Sequence, residues 1–184
     1  ISPEHIESHG SFENYLAAKL ELAKAVATSK KSERMIIANI DDPNGEKFLD
    51  VNVPLKLTYK LTDAEPFTLA DTGSDFMLFG SRVHTDLPGA FNIYNILGAA
   101  TYCYTQKVSI EDMKKALENL KEIKGRVQKI EAGQSFTVVV DYAHTADSLR
   151  NLYEAFSKRR KIAVLGNTGG GRDTWKRPEM AKVA

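Results

Sequence analysis

The sequence predicts an α/β protein built as two successive units, and three observations lead there. Apolar residues recur at helical spacing over 12–28, 90–104 and 110–120. Short apolar runs, among them RMIIANI, FTVVVDY and KIAVL, read as buried strands. The texture then changes at Gly125-Arg126, after which strand, strand, helix and strand signals follow in close succession. A strand–helix–strand order is what a parallel, doubly wound sheet requires, and ligands gather at the carboxyl ends of such strands. The boundary is therefore placed near residue 125, dividing the chain into 1–124 and 125–184.

Taken in order, Ser11 is placed to cap a helix running to about Thr28, with Glu13 favourably near its positive end. RMIIANI is a buried strand closed by Asp41-Asp42-Pro43, with a short helical stretch expected around Glu46 to Leu49. LKLTYKL, FTLA and FMLFG, separated by Pro, Gly and Asp, suggest a small antiparallel patch. A helix is expected from Ala90 to about Tyr104, and Ser109 caps another with Ile110, Met113, Leu117 and Leu120 on one face. In the second unit RVQKIEA and FTVVVDY are strands, DSLRNLYEAF a helix capped by Thr145, and KIAVLG a strand running into a glycine-rich turn.

Composition narrows the function. With 184 residues, 42% apolar and 27% charged, the chain matches an ordinary globular protein, and no apolar run approaches the roughly 20 residues that span a bilayer. The 25 basic and 24 acidic residues nearly cancel, so no one-signed field points to nucleic acid or a membrane surface, and small-molecule chemistry is favoured. The single Cys103 rules out an internal disulfide and suits a reducing cytoplasm. The chain opens on ISPEHIESHG and stops in RPEMAKVA, which reads as the first turns of a helix, so a piece of a longer protein is expected.

Lys19 falls in the middle of the apolar stripe formed by Phe12, Tyr15, Leu16, Leu20, Ala23 and Val26 and is expected to point inward. Either its stem lines the core while the ammonium snorkels to water, or burial favours a neutral amine able to add carbon dioxide and become an anionic metal ligand. His5 and His9, with Glu4 and Glu7 beside them, form a loop that could hold a divalent cation such as Mg²⁺, which takes only one or two protein ligands. Asp141 stands at the carboxyl end of a buried strand with His144 in the turn, where a carboxylate either binds ribose hydroxyls or satisfies backbone donors. Asn92 and Asn95 at a helix start either reach a base and a sugar or cap the helix. Arg126 at the boundary could meet a phosphate or stack on a base, or be a surface arginine with no task.

GNTGGGRD, residues 166–173, comes within two residues of the phosphate loop G-x-x-x-x-G-K-[ST]. That loop needs Lys on the phosphates and Ser or Thr on Mg²⁺, and Arg172-Asp173 supplies neither, so the likeness is coincidental. The glycines still allow a sharp turn and a close approach of backbone to a ligand.

The motifs EHIESHGSFENYLAAK, NIDD, FNIYN, GRVQ, VVVDYAHTADSL and GGGRDTWKRPEM, in this order, resemble the Mur ligases, and most closely the branch that adds the third amino acid to UDP-N-acetylmuramoyl-dipeptide in peptidoglycan synthesis. The resemblance covers nearly the whole chain, and DYAHT is its most discriminating part. It implies the back of a central ATPase domain followed by the start of a Rossmann-like C-terminal domain. It also implies an ATP- and Mg²⁺-dependent amide ligase of the cytoplasm, a monomer acting on a UDP-sugar peptide and a free amino acid, diaminopimelate or lysine. A substrate carboxylate is phosphorylated, and the incoming amine displaces phosphate. By matching position, Lys19 corresponds to a carboxylated lysine and His5 to a Mg²⁺-binding histidine. Asn92, Asn95, Arg126 and Asp141 correspond to the ATP pocket, His144 to a group near the acceptor site, and Arg172 to the arginine receiving the amino-acid carboxylate.

The family's phosphate loop is expected upstream of Ile1 and its amino-acid selector beyond Ala184, so residues 1–184 alone should neither hydrolyse ATP nor form product. Ala146 stands where Pro is usual, Glu4 where Asp is common, and Gly171 where an acid is usual. A cyanophycin-synthetase or folylpolyglutamate type of ligase, and a non-catalytic nucleotide-binding module, are the alternatives.

Overall fold

The computed structural model describes residues 1–166 and 173–184. A short helix α1 (Ile6–His9) precedes α2 (Phe12–Thr28), whose N-cap Ser11 accepts from the Asn14 amide as its sequence promised. Strand β1 (Met35–Asn39) follows, then a 3₁₀ turn at Glu46–Leu49 and β2 (Leu55–Tyr59). β1 and β2 pair in parallel, Met35 beside Leu55 through Asn39 beside Tyr59. LKLTYKL was expected in the antiparallel patch. It instead runs beside β1 because the intervening 3₁₀ turn carries the chain back to the start of that strand. Gly45 makes this return possible: a Cβ there would sit 1.8 Å from the Asn39 carbonyl oxygen.

The antiparallel patch is β3 (Thr68–Ala70), β4 (Gly73–Leu78) and β5 (Ser81–Thr85), with β4 central. β4 buries Ser74, Phe76 and Leu78 against α3 (Ala90–Thr105) and α4 (Ile110–Asn119), the latter capped by Ser109. Phe76, Leu78, Val83, Ile93, Ile96, Leu97, Ala100 and Met113 form the main core. A smaller cluster of Ala23, Ile36 and Val53 lies beneath α2. No helix among the described residues is long and apolar enough to cross a membrane.

The second unit holds β6 (Gln128–Ile130), β7 (Val138–Val140), α5 (Ala146–Ala155), capped by Thr145, and α6 (Lys176–Val183). β6 and β7 pair antiparallel. The strand expected at KIAVL does not form: 161–166 has no ladder partner among the described residues, and Ile162 and Val164 are 91% and 97% exposed. An apolar run becomes a parallel strand only where a neighbouring strand offers it a ladder, and here none does. Helix α5 packs on both α6 and α3 and so joins the two units.

Candidate functional site

Most of the residues singled out in the sequence lie at two places, one around Tyr15 in the first unit and one at the bend that opens the second. The first surrounds Tyr15. The ring of His5 lies 6.3 Å from that ring and His9 5.4 Å, and the Lys19 ammonium sits 5.3 Å from its centroid. Lys19 was expected to point inward, yet it is exposed. Helix α2 packs through Tyr15, Leu16 and Ala23 on α1, the 46–49 turn and the cluster with Ile36 and Val53, and this contact does not extend over Lys19. Solvent contact removes the burial on which the inward reading rested.

The second place is the hinge. Gly125 and Val127 both adopt positive φ, 69° and 49°. The Asp141 carboxylate holds this bend by accepting from the Val127 and Ala143 amides, each at 2.7 Å. Of the two tasks open to Asp141, satisfying backbone donors is the one seen, although each oxygen keeps a second lone pair. The Arg126 guanidinium lies 4.6 Å from the Tyr142 ring centroid, and Tyr142 in turn lies 4.6 Å from the His144 ring.

His144 connects the two places. Its Nε2 is 2.7 Å from Glu4 Oε1 and its Nδ1 2.9 Å from the Tyr142 carbonyl oxygen. The two contacts pin the imidazole between the Glu4 side chain of the first unit and the backbone of its own turn. Burial pushes the Glu4 carboxyl up, but the His144 hydrogen bond, with Lys176 and His5 nearby, outweighs it and holds the group below its ordinary value. Asp173 behaves alike: burial raises it, and the Glu7 and His5 amides together with Trp175 and Lys176 bring it lower.

The asparagines part company. Asn92 is buried and donates to the Pro88 carbonyl oxygen at 2.8 Å, which fixes the entry into α3, whereas Asn95 is exposed. Neither shares a hydrogen bond with Asp141 or Arg126 among the described residues. Tyr94, between them, donates to Asp41 Oδ2 at 2.8 Å, and the Leu61 amide donates to the same atom at 2.7 Å. Burial and this bond push the Tyr94 phenol up to about 12, while the Leu61 and Tyr94 bonds lower Asp41. A carboxylate lowered on folding stabilises above its unfolded value of about 3.9 and loses that contribution as pH falls through its folded value. Tyr94→Phe is therefore expected to cost about 1 kcal/mol at neutral pH, with the gap to wild type closing below pH about 4 in urea titrations. A constant gap down to pH 2.5 would contradict the Asp41 pairing.

Arg172 lies outside the described residues. Sequence reading passed over Asp173, Lys176 and Tyr142, whose only signal was proximity to the motifs GGGRDTWKRPEM and DYAHT. Among the described residues no group of three or more His, Cys, Asp or Glu side chains gathers to hold a metal. The Glu4 and Asp173 carboxylates beside His5 are engaged by Lys176, 3.6 and 3.5 Å away. His5 and Lys19 both flank the Tyr15 ring, and neither forms a hydrogen bond or ion pair with the other among the described residues. A cavity of about 660 Å³ opens at the amino ends of β1 and β2, beside Arg34, Leu55 and Lys107, and none of the site residues discussed above lines it.

Residues 1–103 match the family profile described as Mur ligase middle domain, and residues 125–184 the one described as Mur ligase, glutamate ligase domain. A UDP-N-acetylmuramoyl-L-alanyl-D-glutamate--2,6-diaminopimelate ligase of Halalkalibacterium halodurans is 34% identical over 195 residues, spanning 100% of this chain and 40% of that protein. A protein of Clostridium acetobutylicum named as ligase 1 of the same kind is 38% identical over 197 residues, spanning 100% and 39%. This chain thus spans about 40% of the length of these relatives. A solved structure of a UDP-N-acetylmuramoyl-L-alanyl-D-glutamate--2,6-diaminopimelate ligase superposes with TM-score 0.66 at 28% identity, covering 100% of this chain and 40% of that one. MurF from Acinetobacter baumannii superposes with TM-score 0.73 at 19% identity, covering 87% and 36%, a likeness of fold alone.

Proposed function

This chain belongs to the Mur ligase family, and from that premise we propose that it is the part of an ATP-dependent amide ligase in which the metal side and the acceptor side of the reaction meet. The reaction adds a third amino acid, diaminopimelate or lysine, to UDP-N-acetylmuramoyl-L-alanyl-D-glutamate, in the cytoplasm and as a monomer. The observation that carries this reading is the Glu4–His144 contact, which brings the histidine loop of the first unit against the DYAHT turn of the second. The names of relatives matching along the whole chain support the choice of substrate. The domain boundary is proposed near residue 125, at the Gly125–Val127 bend.

In this reading a carboxylate oxygen of the dipeptide attacks the γ-phosphorus of ATP and ADP departs. The amino nitrogen of the incoming residue then attacks the acyl carbon, phosphate leaves, and the amine gives up its proton. Bringing two reactants together across a cleft is worth several kcal/mol of barrier, which is why the alignment of the two units matters. By the family match, His5 and a carboxylated Lys19 would hold Mg²⁺, which would supply neutralisation of phosphate charge. Asn95 faces the adenine and Arg126 the phosphates or base, while Asn92 sets the entry to α3 on the ribose side. Asp141 meets the ribose through its free lone pairs, His144 donates toward the acceptor site, and Arg172 receives the amino-acid carboxylate.

The test is direct. The gene product that carries this chain is supplied with ATP, Mg²⁺, the UDP-sugar dipeptide and either amino acid, and ADP and nucleotide peptide are followed by chromatography and mass spectrometry. ADP release that depends on the amino acid, with a product heavier by one residue, is expected. Absence of product with both amino acids overturns the reading.

A further inference from the structure

The bend at 125–127 and the turn at 141–144 face each other residue by residue. Continuing the β6–β7 register, in which Gln128 stands beside Val140, sets Val127 opposite Asp141 and Arg126 opposite Tyr142. The ladder itself stops there: Val127 turns to φ 49°, and its amide donates to the Asp141 carboxylate at 2.7 Å. On the other side the Arg126 amide donates to the Ile123 carbonyl oxygen at 2.9 Å, so the backbone of Arg126 is held from both directions. Its side chain is held differently. Among the described residues the guanidinium makes no hydrogen bond or ion pair, and it rests on the Tyr142 ring, 4.6 Å from the centroid. A ring face attracts the cation as a whole and uses none of its five N–H donors, so Arg126 is aimed while those donors stay available to a ligand. Tyr142 is 54% exposed and belongs to neither hydrophobic cluster, so core packing does not account for it.

Resting on the ligase reading above, we propose that Tyr142 is a positioning residue for ATP: its ring holds the Arg126 guanidinium in the direction in which its donors meet the nucleotide. A carboxylate in that place would pair with the guanidinium and cancel the charge that attracts a polyphosphate, whereas an aromatic ring orients it and leaves the charge in force. The neighbouring His144 keeps its contacts with Glu4 and with the Tyr142 carbonyl oxygen, neither of which a change of the Tyr142 side chain removes. The effect therefore falls on nucleotide binding more than on turnover.

The complete gene product tests this through ATP affinity, read by titration calorimetry, and through steady-state kinetics. Tyr142→Leu is expected to weaken ATP binding about 3–5-fold and to raise KM for ATP alike, with kcat falling less than about 2-fold. Tyr142→Phe keeps the ring face and is expected to restore most of the affinity. In an Arg126→Ala background Tyr142→Leu adds nothing, because a residue acting through another loses its effect once the other is gone. Undiminished affinity in Tyr142→Leu overturns the proposal, as does a loss in Tyr142→Phe as large as in Tyr142→Leu. A double variant whose loss is the product of the two single losses overturns it too, since the ring would then meet the nucleotide itself. A wild type that binds ATP but forms no amide overturns the ligase reading and leaves the affinities to decide Tyr142, whereas one that binds no ATP overturns both.

Discussion

Phe76→Ala is expected to cost about 3–5 kcal/mol, the largest loss of stability from any single change in this chain. Phe76 sits at the middle of the central strand of the antiparallel sheet with none of its surface exposed, opposite Val83 and among Ile93, Leu97 and Met113. Its removal leaves a void that α3 and α4 cannot both close, because α3 is also held to β4 and α4 to β5. Against a total of about 5–15 kcal/mol, this removes from about a fifth of the stability to nearly all of it. Urea midpoints at unchanged slope measure it, with Leu22→Ala, on the open face of α2 at 72% exposure, as the control expected to move less than about 0.5 kcal/mol. A Phe76→Ala loss no larger than the control's would mean that the core described above is not the stabilising one.

Lys19→Ala is expected to lower amide formation by the gene product on the order of 100-fold or more, since a ligand to a catalytic metal contributes several kcal/mol. Stability should barely change, because the exposed ammonium contributes only its contact with Tyr15, about 0.5–1 kcal/mol. Lys19→Glu restores a carboxylate at the end of a shorter stem and is expected to keep part of the activity. The pattern to look for is a large fall in kcat at matched melting temperature, partly recovered by Glu. Equal, full activity of both variants would return Lys19 to a solvated lysine resting on an aromatic ring.

What the sequence made legible divides along the line between local and distant causes. Ser11, Ser109 and Thr145 announced three helix starts because a cap is satisfied within three residues, and each accepts the expected amide. β1 was readable from its run of apolar residues, whereas the partner of β2 was not, since that depends on where the 46–49 turn returns the chain. KIAVL carries the pattern of a buried strand, but pattern states only what a segment could bury, and no strand among the described residues pairs with it. Lys19 misled for the same reason: a helical stripe marks an inward face only where something packs against all of it. At the site, Asp141, His144 and Arg126 were visible through strand ends and a boundary. Asp173 and Lys176 were not, because their partners Glu4 and His5 lie some 170 positions earlier, a separation no local pattern carries.

That separation also orders events in time. The Asp173 amide and the Glu7 carboxylate are 166 positions apart, so closing their loop costs roughly 2 kcal/mol more chain entropy than closing one of about 12 residues. The β4–β5 hairpin and the helices form from neighbours, and the clasp can close only after both units exist. Weakening the clasp is therefore expected to leave the refolding rate nearly unchanged and to hasten unfolding, as read from the two arms of a chevron plot. The contact between Glu7 and Asp173 is in that sense the molecule's brake on coming apart, which sets its lifetime more than its rate of assembly.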